Sequence, residues 1–182
     1  MRVLVLGQTG MLGNAVHRYL RTKENIRLAT SITARYPNKS FFEQIKASES
    51  EYIVNCIGAI PQQDPVAETF QLLNERLPKE LDNLNIPIIH PSTDCEFDGT
   101  LPFGERYSKN HERNATDAYG SSKARSSAWI EQEAKNTKII RTSIIGHEMS
   151  TNRSLLNWFL AQTGAVRGYT DHYWNGITTL EW

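Results

Sequence analysis

The sequence predicts an α/β fold, a doubly wound parallel sheet with helices on both faces. Three observations carry this reading: short unbroken apolar runs (RVLVL at 2–6, YIVNCI at 52–57, IPIIH at 86–90), helical spacing between them, and a glycine loop directly after the first run. A strand buried on both faces of a parallel sheet reads as a continuous apolar run rather than an alternating one, and strands that alternate with helices place those helices over the sheet.

The elements follow in chain order. Arg2 to Leu6 is the first strand, and Gly7 stops it. Leu12, Ala15, Val16, Tyr19 and Leu20 recur at helical spacing, so 12–20 is a helix. After a polar turn at Lys23 to Asn25, Ile26 to Ile32 reads as a second strand with a weak pattern. Phe41 to Ala47 is a short helix and Tyr52 to Ile57 a third strand. Val66 to Leu84 is periodic enough for a long helix, with a kink or break at Pro78 because proline has no N–H to give and crowds the preceding turn. Ile86 to His90 is the fourth strand. Asp98 to Thr116, rich in Gly, Pro, Asn and charge, is a loop of a length usually kept for function. Asp117 is the N-cap of a helix from Ala118 to Ala134, Lys138 to Ser143 is a strand, and Leu155 to Leu160 is a short helix. The chain closes on the aromatic stretch GYTDHYWNGITTLEW.

Composition narrows the function. A chain of 182 residues at 39% hydrophobic supports one core, which we place in 1–150, with 151–182 as an appendage. Twenty basic and twenty acidic side chains cancel, which leaves no footprint for nucleic acid or an anionic membrane. No apolar run approaches the ~20 residues of a membrane span, and Val3 to Leu6 is too short for a signal peptide. Cys56 and Cys95 lack metal-ligand spacing and fit a reducing compartment, so a cytoplasmic location is expected. The five histidines show no i, i+4 pairing, so no metal site is expected.

Gly7, Gly10 and Gly13 form G-x-x-G-x-x-G between the first strand and the first helix. That chemistry suits a pyrophosphate: a tight turn, a backbone open to close approach, and a helix N-terminus with free N–H groups. The loop, Gly7, Gln8, Thr9, Gly10, Met11, Leu12 and Gly13, is the predicted dinucleotide cradle. A carboxylate at the end of the second strand would accept the 2′-hydroxyl of NAD, yet Ile26 to Asn38 holds no acid. It does hold Arg35, whose guanidinium suits the 2′-phosphate of NADP, so NADP is favoured over NAD.

The fourth strand runs into PSTDCEFDG, at the sheet edge where ligands of open α/β sheets bind. Tyr119 follows on the first turn of the next helix, with Lys123 one turn on along the same face. A phenol titrates near 10 in water, and a nearby ammonium would lower that value. Tyr119 could then give a proton to a carbonyl oxygen as hydride reaches its carbon, while Thr93 hydrogen-bonds the same oxygen and Lys123 also holds the nicotinamide ribose. A second Tyr-x-x-x-Lys pair, Tyr19 and Lys23, lies at the far end of the first helix with no hydroxyl-bearing strand end before it, and reads as a surface coincidence.

Together GQTGMLG (7–13), VNCIG (54–58), STDCEFDG (92–99), YGSSKA (119–124), RTSIIG (141–146) and WNGITTLE (174–181) resemble the extended short-chain dehydrogenases/reductases, within them the dTDP-4-dehydrorhamnose reductase-like sugar-nucleotide proteins. The resemblance implies a Rossmann-like NAD(P)-binding fold, reduction of a nucleotide-linked 4-keto-6-deoxy sugar by NADPH, and Thr93, Tyr119 and Lys123 as the catalytic set. It places Cys56, Ile57 and Gly58 along the cofactor cleft and Thr93, Cys95, Glu96 and Phe97 on the substrate side. It further implies that 151–182 begins a substrate lobe longer than the remaining chain supplies.

Departures from the family pattern are Pro91 for an aliphatic strand residue, Cys95 for a substrate-facing tyrosine, and Arg125, Ser126 and Ser127 where a Gly-Glu pair is common. Two alternative functions share these residues. One is a cofactor-binding module or regulatory subunit without independent catalysis, and the other a nucleotide-sugar epimerase or dehydratase. The C-terminal aromatics, short of their covering lobe, would leave an apolar surface through which two copies could pair.

Overall fold

The computed structural model describes all residues, 1–182. Two compact units are present: residues 1–57 with 142–182, and residues 58–141. The order of elements is the alternation expected of a doubly wound parallel α/β fold.

In the first unit the strands β1 (Arg2–Leu6), β2 (Arg27–Leu28) and β3 (Tyr52–Asn55) run parallel, with β1 between the other two. Val3, Leu4, Val5 and Leu6 are all buried, as an apolar run on a central strand requires. Helix α1 (Met11–Leu20) turns Leu12 and Val16 onto Val5, and Leu20, Leu28, Val54, Cys56, Ile144 and Trp182 pack around that cluster. Helix α2 (Lys39–Ala47) starts at Asn38, whose side chain accepts the Ser40 N–H at 3.0 Å, and it buries Phe41 and Ile45. A second, two-stranded parallel sheet pairs β6 (Ile144–Ile145) with β7 (Ile177–Thr178), and α6 (Leu155–Leu160) lies between them in sequence. The weak second strand survives only at Arg27 and Leu28, because the polar residues after Leu28 have no apolar pattern to hold them in a ladder.

In the second unit β4 (Ile88–Ser92) and β5 (Thr137–Arg141) are parallel neighbours, with Pro91 opposite Ile140. Ile88 donates its N–H to Asn136 on the β5 side, so by alternation the nitrogen of Pro91 faces away from β5 and that ladder loses no donor. Pro91 therefore sits inside a regular strand.

Pro78 does not break its helix. The run passes without interruption from α3 (Ala67–Phe70) through a wide π-helical stretch, Gln71–Arg76, into α4 (Leu77–Asp82). The Leu77 N–H reaches back five residues to the Leu72 carbonyl, and that widened turn accommodates the proline that follows. At the end of α4, Asp82 accepts the N–H groups of Lys135 and Asn136 and the hydroxyl of Thr137, which ties this helix to the start of β5.

Helix α5 (Ala118–Glu133) begins as expected: the Asp117 carboxylate accepts the Gly120 N–H at 2.9 Å. Its inward face is unusual, since the buried positions are Gly120, Ser122, Lys123, Ala124, Ser126, Ser127 and Ile130. No helix of the protein is long and apolar enough to cross a membrane.

Candidate active site

The glycine loop of the first unit is built on backbone contacts that no other residue would permit. Gly7 has φ +74, and a Cβ placed there would stand 2.8 Å from the Cys56 carbonyl oxygen. A Cβ on Gly13 would drive into the Gly7 carbonyl, which the first turn of α1 almost touches. Gly10 caps α1 without a side-chain bond and accepts the Asn14 N–H at 2.9 Å, while its own N–H goes to the Gly7 carbonyl at 3.0 Å. No acidic side chain lies in the first turn of α1.

The result is an open helix N-terminus under a close-approach turn, which fits a pyrophosphate. Of the remaining loop residues, Leu12 is buried in the core, Met11 is half-buried, Thr9 is exposed, and Gln8 hydrogen-bonds Ser31. Arg35 is exposed beyond β2, in position to meet an anion from solvent. Cys56 and Ile57 follow β3, with the Ile57 N–H held by the Asn55 side chain at 3.2 Å.

In the second unit the strand end and the helix start meet. Thr93 follows β4, and its hydroxyl is hydrogen-bonded to the Tyr119 phenol. The same hydroxyl accepts the Cys95 N–H at 3.2 Å and donates its proton to Asp94 Oδ1 at 3.1 Å, which leaves a lone pair for the phenol O–H. Lys123, one turn beyond Tyr119, donates from Nζ to the Pro91 carbonyl at 2.9 Å. Below it His90 is buried, and burial and then the charge of Lys123 hold its pKa well below the usual histidine range. It is therefore a neutral floor beneath the ammonium.

Tyr119 differs from expectation in its acidity. Its pKa is pushed up to about 12: burial is the largest cause, the Thr93 hydrogen bond works against it, and the charges of Cys95, Asp94 and Asp117 raise it further. Phe70, with its ring centroid 6.1 Å away, supplies part of that apolar cover. The expected lowering by Lys123 does not prevail: burial, Asp94 and Asp117 outweigh it at the phenol. Tyr119 is thus a firmly protonated donor at neutral pH.

The residues expected on the substrate side divide. Cys95 is exposed as a residue while its thiol is partly sheltered beside Asp94, and that desolvation is the first cause pushing the thiol up, against the Thr93 hydrogen bond, with Asp94 and Asp117 adding to it. Glu96 points inward, fully enclosed, with Ser92, Ser127, Arg113 and Arg141 on its carboxylate oxygens, so it does not present a surface to a ligand. Phe97 stacks on Tyr107 at 4.5 Å, and the Tyr107 hydroxyl donates to Asp98 at 2.6 Å, which closes the 98–116 loop on itself.

Asn74 was not foreseen. Fully buried on the π-helical stretch, it accepts the Ala59 N–H at 2.9 Å, returns a bond to the Ala59 carbonyl at 3.1 Å, and donates to Ser122 Oγ at 3.0 Å. A Cβ on Gly58 would meet its Oδ1 at 3.2 Å, so this glycine gives the amide room. Only the proline four residues on hinted that the helix would be irregular there.

Tyr19 is exposed and Lys23 half-buried, the ammonium 4.2 Å from the ring centroid, in keeping with a surface contact.

Residues 1–163 match the RmlD substrate binding domain family. This chain belongs to that family. No curated protein sequence matches it.

Among solved structures, the RmlD-family chain is similar to a dTDP-4-dehydrorhamnose reductase of Clostridium acetobutylicum, at 23% identity and TM-score 0.67, over 87% of this chain and 59% of that one. It is also similar to the dTDP-4-dehydrorhamnose reductase of Bacillus anthracis in complex with NADP, at 21% identity and TM-score 0.66, over 81% and 56%. A dTDP-glucose 4,6-dehydratase of B. anthracis in complex with NAD is similar at 20% identity and TM-score 0.65, over 88% and 60%. The likeness establishes the fold, and the RmlD-family chain spans 56% to 60% of the length of these three proteins.

Proposed function

We propose that this chain forms the cofactor-binding part of a cytoplasmic, NADPH-dependent reductase acting on a nucleotide-linked 4-keto-6-deoxy sugar. One observation carries the reading: the hydroxyls of Thr93 and Tyr119 are hydrogen-bonded to each other where β4 ends and α5 begins, with Lys123 on the next turn. A bound NADPH would supply hydride to the carbonyl carbon. Tyr119 would give its proton to the carbonyl oxygen, and Thr93 would turn its hydroxyl from Asp94 to that oxygen as charge develops on it.

Lys123 would hold a nicotinamide ribose. Gly7 to Gly13 would receive a pyrophosphate on the α1 N-terminus, Cys56, Ile57 and Gly58 would border the cofactor, and Arg35 would pair with a 2′-phosphate. Cys95, exposed beside Thr93, would face the sugar, and 151–182 would begin a substrate lobe. NADP in one structure of the same fold and NADPH in another support this choice of cofactor, while NAD in a third leaves Arg35 as the residue that favours NADP here.

The test is loss of NADPH absorbance with a nucleotide-linked 4-keto sugar. Tyr119→Phe should reduce turnover on the order of 10²-fold or more, as removal of a general acid does. Undiminished turnover would sink the assignment.

A second reading, a cofactor-binding subunit without its own turnover, is favoured by the exposed apolar side chains of the C-terminal segment: Leu155, Phe159, Leu160, Tyr169 and Tyr173 are each more than half exposed. Such a surface suits pairing of two copies. Light scattering of the purified chain distinguishes a dimer from a monomer. NADPH binding without turnover, in a dimer, is the outcome this second reading expects.

A further inference from the structure

We propose that Glu96 is a positioning residue that aims Thr93 at the reacting oxygen. The inference rests on the reading of Thr93 and Tyr119 given above. Glu96 is completely enclosed, yet its carboxylate makes only directed bonds. Ser92 Oγ and Ser127 Oγ both donate to Oε1. Oε2 accepts Arg113 Nε at 2.8 Å and Arg141 Nε at 3.0 Å. The far ends of both guanidinium groups go to Glu131, at 2.5 Å from Arg113 and 2.8 Å from Arg141, so two acids balance two bases.

These partners come from the end of β4, the middle of α5, the loop before it and the end of β5. Thr93 lies between two held points, Ser92 behind it and Glu96 ahead of it. The intervening turn is closed by the Phe97 N–H on the Asp94 carbonyl at 3.0 Å, and the Ala115 N–H reaches the Glu96 carbonyl at 3.2 Å. Thr93 therefore cannot change its aim unless the carboxylate lets go of a serine or an arginine.

A buried ion cluster is a weak source of stability compared with apolar side chains of the same volume. What it does provide is direction. Four bonds from four segments define the path of 92–97 more narrowly than apolar packing would, and reaction geometry is sensitive to displacements of about 1 Å.

The test uses the intact chain and two independent readouts: NADPH-dependent turnover, and the alkylation rate of Cys95, which sits on the turn that Glu96 holds, with Cys56 as internal control. Glu96→Gln keeps the shape and removes the charge. The expected result is a fall in kcat on the order of tenfold or more with KM for NADPH unchanged, and faster alkylation of Cys95 with Cys56 unaltered.

The exchange variant Glu96→Ser with Ser127→Glu returns a carboxylate to the same pair of arginines from the helix side, and should restore both quantities. Ser127→Ala, which leaves the ion pairs in place, should shift both in the same direction by less, and serves if Glu96→Gln does not fold.

A folded Glu96→Gln protein with unchanged kcat and unchanged Cys95 reactivity would overturn the proposal, as would an exchange variant that folds and restores neither. Absence of turnover in every variant, the parent chain included, counts against the reductase reading, while alkylation of Cys95 still decides the role of Glu96.

Discussion

Lys123 holds the carbonyl oxygen of Pro91 at 2.9 Å, so the helix that carries Tyr119 is bonded to the strand that carries Thr93 two residues further on. The contact joins the two halves of the hydroxyl pair through a lysine that is itself only 7% exposed. Lys123→Met keeps the stem and removes this bond along with the charge. Turnover should fall on the order of 10²-fold, and the unpartnered carbonyl should cost about 1–3 kcal/mol, measured as kcat and as urea unfolding of the same preparation.

Tyr119 makes stability depend on alkaline pH. Its pKa is raised from the ordinary 10 to about 12, so the folded state keeps a proton that the unfolded chain releases. The stabilisation is complete below pH 10 and is lost as pH rises from 10 to 12, amounting to on the order of 2 kcal/mol. Unfolding followed across that window should steepen in the parent chain relative to Tyr119→Phe. Asp117→Asn, which keeps an N-cap acceptor but removes one of the charges raising the phenol, should flatten the dependence without lowering stability at pH 7.

Arg35 should set the choice between the two nicotinamide cofactors. If its guanidinium pairs with a 2′-phosphate, Arg35→Gln loses a charge-assisted bond of about 1.5–3 kcal/mol, so NADPH affinity drops at least tenfold while NADH affinity stays. Calorimetric titration of both cofactors checks this. Equal losses for both would place Arg35 outside the cofactor site.

Asp82 is a purely architectural test. Burial raises its pKa, but the bonds from Lys135, Thr137 and Asn136 prevail and leave it below the ordinary 3.8. A carboxyl lowered on folding stabilises above that value and ceases to do so as pH falls through its folded pKa. Asp82→Ala should therefore cost about 1–3 kcal/mol at pH 7 and reduce the sensitivity to acid, read from unfolding midpoints at pH 7 and pH 3.

How much of this was legible in the sequence depends on how local the cause was. RVLVL specified β1 to the residue, and Asp117 marked the start of α5, because burial on both faces and an N-cap bond are decided within a few positions. Thr93, Tyr119 and Lys123 were readable because helix periodicity puts the last two on one face and the strand end delivers the first. The acidity of Tyr119 was not, since Phe70 and the burial that raises it are not neighbours in sequence. Glu96 looked like a substrate-side residue for the same reason: its arginines arrive from 17 and 45 positions away. Pro78 by itself predicts a kink or break, yet one wide turn upstream lets the helix run on, and that turn carries Asn74.

Helix α5 carries a consequence for anyone who would alter this protein. Apolar surfaces adhere at many rotations, whereas serine hydroxyls and an ammonium accept only the rotation at which their partners are present. The alignment of α5 is therefore written as an address rather than as adhesion. Larger aliphatic side chains at Ser122 or Ser127, whose hydroxyls meet Asn74 and Glu96, would leave the helix firmly attached and Tyr119 pointing at nothing.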